Sequence, residues 1–154
     1  MVCSTQEGRV RGMDATLRTR AAVLWVVVAV AVSTSILLYL LRPGALEEAL
    51  AGEMEGEPLT PAAVLLLAVL VGVPLLMAVV TLLVNGRANR YVNLVVAVMF
   101  GAFGAFASTS EAVGGDFDAH VLMVVLATLA TFLVAGLSLV GLRTPASGTP
   151  SSRA

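Results

Sequence analysis

The groups able to do chemistry in this chain are few, and their spacing limits what they can do. His120 is the single histidine and Cys3 the single cysteine. His120 follows Asp116 and Asp118, which places an imidazole beside two carboxylates. Metal sites draw on clustered His, Cys, Asp and Glu at set spacings, and no second imidazole or thiol stands near these three in the sequence. The hydroxyl run Ser33-Thr34-Ser35 covers about 200° of a helix at about 100° per residue, so its oxygens cannot share one groove. They are expected to bond the carbonyl one turn back or a neighbouring helix. The stretch Arg87-Ala88-Asn89-Arg90-Tyr91-Val92-Asn93 is the most distinctive, with two guanidinium groups, a phenol and two amides four residues apart on one helix face. No nucleophile–base pair or ligand set emerges, so the expectation is no catalytic residue, no metal and no cofactor.

What must position these groups is a set of long apolar runs. Hydrophobic residues make up 58% of the chain and charged residues 12%, a balance that excludes a disordered polymer. A lone cysteine excludes a disulfide scaffold, and a net charge of −1 over 154 residues gives no footprint for nucleic acid. Four runs, 21–41, 62–84, 91–108 and 119–142, contain no Asp, Glu, Lys or Arg. With roughly 18 to 24 residues each, at about 1.5 Å per residue, they match a hydrocarbon core of about 30 Å. Backbone polar groups in lipid need internal partners, and the runs lack the alternation of barrel strands, so each reads as a helix. The first run exceeds the apolar core of a cleaved secretory signal and reads as an uncleaved anchor. The expected fold is all-α, an integral membrane antiparallel four-helix bundle over 21–143, with disordered tails at 1–20 and 144–154.

Arginine placement gives the direction. Arg9, Arg11, Arg18 and Arg20 precede the first run, Arg87 and Arg90 lie in the second connection, and Arg143 and Arg153 follow the last run. The first and third connections hold only Arg42, together with Glu47, Glu48, Glu53, Glu55, Glu57, Glu111, Asp116 and Asp118. By the positive-inside rule both termini are expected in the cytoplasm. Basic residues that are all arginine, with heavy Ala, Val, Gly and Leu usage, suggest a GC-rich bacterial genome, and so a multi-pass protein of the bacterial cytoplasmic membrane. The short link with Asn85-Gly86 predicts a tight hairpin of the second and third spans. Thr60 and Pro61 predict an N-cap and first helical position, and residues 109–118 predict a loop.

Spacing within the spans adds three candidate features. Asn93, Ala97, Gly101, Gly104, Ala105 and Ser108 fall within an arc of roughly 120°, a helix-packing face, with Phe100, Phe103 and Phe106 on the other side. Gly72 and Pro74 predict a kink in the second span. Arg87, Asn89, Arg90 and Tyr91 fall at the cytoplasmic interface, where guanidinium groups reach lipid phosphates and tyrosine joins the aromatic belt. Runs free of charged side chains argue against proton relays and coupled transport.

The stretch Arg87–Asn93, with Val73-Pro74-Leu75-Leu76-Met77, Arg42-Pro43-Gly44 and Ala51-Gly52, resembles a domain-of-unknown-function family of small four-helix bacterial membrane proteins. The resemblance covers about residues 21 to 143. It implies the four-helix fold and brings no activity with it. Members of that family often carry polar or acidic residues in span one and a carboxylate before the span-two proline, where this chain has Ser33 to Ser35 and Gly72. The function expected is non-enzymatic: a bundle that interacts with membrane lipids, with itself or with another membrane protein. The alternative is a carrier or channel for a small neutral or lipophilic solute, lined by the Pro74 kink and the hydroxyls of spans one and four, Thr128, Thr131 and Ser138 among them.

Overall fold

A computed structural model describes residues 3–54, 56–84, 86–114 and 119–143. It contains five helices: α1 (Cys3–Leu40), α2 (Ala45–Ala51), α3 (Pro61–Leu83), α4 (Arg87–Gly114) and α5 (Ala119–Arg143). Between α2 and α3 lies a minimal antiparallel ladder of β1 (Glu53–Met54) and β2 (Glu57–Pro58). Four of the helices carry segments long and apolar enough to cross a membrane: Ala15–Leu40, Pro61–Leu83, Arg87–Thr109 and Ala119–Arg143.

Helix boundaries follow local chemistry. Thr60 Oγ1 accepts from the Ala63 N–H at 3.2 Å, and Pro61 occupies the first turn of α3, where its missing donor costs nothing. Gly44 and Gly52 bracket α2 with φ of 87° and 82°, left-handed values that L side chains resist. The helical assignment of α3 continues through Pro74, whose ring is fully buried against the bundle, while Gly72 is exposed.

The structure differs from the sequence expectations at several boundaries. Residues 3–20, expected as a disordered tail, belong to α1. A helix already nucleated by an apolar span extends at low cost through good helix formers such as Glu7, Arg9, Arg11 and Met13. The helix that carries the third span, α4, starts at Arg87 and runs to Gly114, through most of the expected 109–118 loop. Ser108 Oγ bonds Gly104 O at 2.8 Å and Thr109 Oγ1 bonds Ala105 O at 2.9 Å, so these hydroxyls are satisfied without leaving the helix. The tight hairpin of α3 and α4 is also corrected. The two helices touch sparsely, while α3 packs along α1, α1 along α5, and α5 along α4. The side chain of Cys3, the Asn85 turn position, Asp116, Asp118 and the tail 144–154 lie outside what the structure describes.

The core sits where α1 and α5 meet. Trp25, Val28, Ala31, Met77, Ala78, Ala97, Ala127, Ala130, Val134 and Ala135 form one buried cluster. Most of it is alanine or valine, the small residues that let helices approach closely in lipid, where apolar burial alone does not drive them together.

Candidate functional site

Polar side chains buried in this apolar body gather in two places. The first is centred on Asn93 near the start of α4. Asn93 Oδ1 accepts from Trp25 Nε1 on α1 at 2.7 Å and from Thr81 Oγ1 on α3 at 2.8 Å. Its Nδ2 donates to Asn89 O at 2.9 Å and to Asn89 Oδ1 at 3.0 Å. Indole only donates, so the Trp25 contact fixes which way the amide faces, and all four of its hydrogen-bonding positions are filled. Asn89 Nδ2 in turn donates to Val84 O at 2.9 Å, closing a carbonyl at the end of α3 that has no helical partner. Arg90 Nη1 donates to Gly141 O near the end of α5, a cation placed at a helix C-terminus. A Cβ on Gly141 would lie 3.2 Å from Arg90 Cδ and Nε, tight enough to press on the guanidinium stem. The middle of α1, the end of α3, the start of α4 and the end of α5 are thereby tied together.

The second place joins the end of α1 to the start of α5. Arg42 Nη2 donates to His120 Nδ1 at 2.7 Å, and the guanidinium carbon lies 5.4 Å from the Tyr39 ring centroid. Tyr39 and His120 meet edge to face at 6.2 Å, and Ser35 Oγ donates to His120 O at 3.3 Å. His120, expected as an interfacial residue beside Asp116 and Asp118, is buried, and its ring meets Arg42. Of the hydroxyl run, Ser33 Oγ bonds back to Ala29 O at 2.8 Å and Ser35 reaches α5.

The small-residue face of α4 lies against α5. Asn93, Ala97 and Gly101 are buried, and Gly104, Ala105 and Ser108 are half-buried. A Cβ on Gly104 would overlap Thr128 Oγ1, and one on Gly101 would lie 3.1 Å from Thr131 Oγ1. Those threonines bond their own helix, Thr128 to Val124 O at 2.8 Å and Thr131 to Thr128 O at 2.7 Å. Thr128 and Thr131 therefore occupy a packed seam with their hydroxyls satisfied, and Ser138 is buried on the same helix. Phe103 and Phe106 are exposed, whereas Phe100 turns inward, edge-on to Trp25 at 6.2 Å. The interfacial reading of Arg87, Asn89, Arg90 and Tyr91 divides in the same way. Arg87 and Tyr91 are exposed, but Asn89 and Arg90 turn inward, because α3 and α5 present helix-end carbonyls that need donors.

Trp25, Thr81, Tyr39 and Gly141 are the members of these clusters that the sequence reading did not single out. Two carried a signal. Trp25 is the single tryptophan, placed inside an apolar run where its N–H needs a partner, and Thr81 is the one hydroxyl within 62–84.

A helical chain with four segments of membrane-crossing length, whose interior polar groups bridge helix to helix, is of the membrane-protein class. The chain belongs to DUF6326, a family of unknown function, whose family model covers residues 11–139. No curated protein and no solved structure matches it.

Proposed function

We propose that this is a non-enzymatic integral protein of the bacterial cytoplasmic membrane. In this reading it is an antiparallel four-helix bundle with both termini in the cytoplasm, and it works through its surface on membrane lipid or on another membrane protein. The observation that carries this reading is the use made of the buried polar groups. Asn93 spends its whole amide on Trp25, Thr81 and Asn89, and Arg90 spends a donor on Gly141. A site that handles a substrate keeps such groups turned towards it. Orientation is supported by charge: Arg18, Arg20, Arg87 and Arg143 stand at the ends of the spans near the Asn93 cluster, and Arg42 at the opposite end.

Outside the seams the spans present large apolar side chains. On α3, Leu65, Leu76 and Leu83 are 65%, 61% and 74% exposed, which leaves that helix's outer side for lipid or a partner. Photocrosslinking in native membranes from positions 76 and 83 tests the reading. Discrete adducts with lipid or with one other membrane protein are expected. Recovery of uncrosslinked monomer alone would contradict it.

A further inference from the structure

Along the seam of α1 and α5 runs an open groove of about 560 Å³, lined by Arg20, Val23 and Leu24 on one side and Leu133, Gly136 and Leu137 on the other. Its size lies within the range of about 300–1,000 Å³ that ligand pockets occupy. Gly136 makes the gap: it is exposed, and a Cβ there would meet nothing within 4 Å. On a helix otherwise rich in leucine and valine, one missing side chain leaves a channel between bulky neighbours. A second groove of about 340 Å³, with Val26, Val30 and Thr34 facing Met123 and Leu126, continues along the same side of α1. From Thr19 to Thr34 the helix rises about 22 Å, more than the roughly 15 Å of one leaflet's hydrocarbon, so a whole lipid chain has room to lie in the seam.

The lining carries one charge, the exposed Arg20, and it stands at the end of the groove nearest the start of the span. That polarity selects a ligand. Lipid tails are as apolar as leucine, so the groove walls alone do not distinguish one lipid from another. A guanidinium where the tail channel ends does, because it pairs with a phosphate and adds attraction for a head group of net negative charge. We infer that the α1–α5 groove holds an anionic phospholipid, with one acyl chain over Gly136 and its phosphate on Arg20. This deepens the surface-acting reading above and rests on its placement of Arg20 at the cytoplasmic interface.

Native mass spectrometry of the full chain in mild detergent, titrated with phosphatidylglycerol or phosphatidylcholine, tests the assignment. The wild type is expected to retain phosphatidylglycerol about five-fold better, the equivalent of about 1 kcal/mol for one cation near the surface. Arg20→Gln should abolish that preference and Arg20→Lys should keep most of it. Gly136→Leu should remove the retained lipid with helical content and melting unchanged, since the added side chain enters open space. Equal retention of the two lipids by the wild type, or undiminished phosphatidylglycerol on Gly136→Leu, would overturn the assignment. A lipid-independent dimer that Gly136→Leu dissolves would overturn it too, by giving the groove to a second copy. In each of these outcomes photocrosslinking from positions 76 and 83 still gives lipid or partner adducts, whereas failure of the broader reading shows as uncrosslinked monomer alone.

Discussion

Trp25 and Asn93 stand 68 residues apart in the chain, and the indole N–H of one meets the amide oxygen of the other at 2.7 Å inside the bundle. The same oxygen accepts from Thr81, so one acceptor holds α1, α3 and α4 in a single register. The three side chains are buried, which makes the loss of that acceptor costly in a way that an exposed amide's would not be.

Asn93→Leu is therefore expected to destabilise the bundle by about 1–3 kcal/mol, because interhelical hydrogen bonds in membranes average about 0.6 and reach about 1.7 kcal/mol, and two are lost together. Unfolding by denaturing detergent measures this. Trp25 is the only tryptophan, so its emission reports the same site directly. A double-mutant cycle with Trp25→Phe should return a coupling energy of about 0.5–1.5 kcal/mol.

The α4–α5 seam makes a different prediction. Gly104→Ala forces Thr128 to rotate off Val124 O or the helices to part, at a cost of about 1–3 kcal/mol. Thr128→Ala in the same chain should recover most of the loss. Gly72→Ala is the control: it meets nothing within 4 Å, and the exchange is expected to be neutral or to stabilise by up to about 1 kcal/mol. Melting of the purified variants compares the three.

The four spans were legible in the sequence because hydrocarbon imposes a length and a polarity that no soluble constraint overrides. Along α4 the spacing of Ala97, Gly101 and Gly104 on one side of a 3.6-residue turn marks a face of small residues. Periodicity names a face, however, and not the helix that meets it. Nothing in the spacing of Asn89 and Asn93 points to Trp25 or Thr81, and nothing in the three-residue link between α3 and α4 tells that α4 leans on α5. His120 was weighed against Asp116 and Asp118 because they are its neighbours in sequence. Among the described residues its ring accepts from Arg42, 78 residues away, and the signal for that pairing was the isolation of each: the one histidine and the one arginine of those connections.

Arg90→Gln removes a charge-assisted bond to a helix-end carbonyl, an interaction of about 1.5–3 kcal/mol in general. A loss of that order is expected. Gly141→Ala should reproduce part of it by pressing on the guanidinium stem. Thermal melting in detergent distinguishes them, and a null result for Arg90→Gln would remove Arg90 from the interhelical cluster.

At the opposite end, His120→Phe keeps a ring for Tyr39 but takes away the nitrogen that Arg42 donates to. The expected loss is about 1–3 kcal/mol, and it should be localised. Hydrogen exchange is expected to quicken at the end of α1 and the start of α5 while the Trp25 region stays protected.

Cysteine accessibility in intact cells tests the proposed passage through the membrane most directly. In a Cys3→Ser background, Glu48→Cys and Ala88→Cys each place one thiol at an exposed position, on α2 and at the start of α4. A membrane-impermeant maleimide is predicted to label position 48 in whole cells and position 88 only after the membrane is opened. Labelling of position 88 in whole cells with position 48 protected would invert the orientation, and equal labelling of both would contradict a four-span bundle.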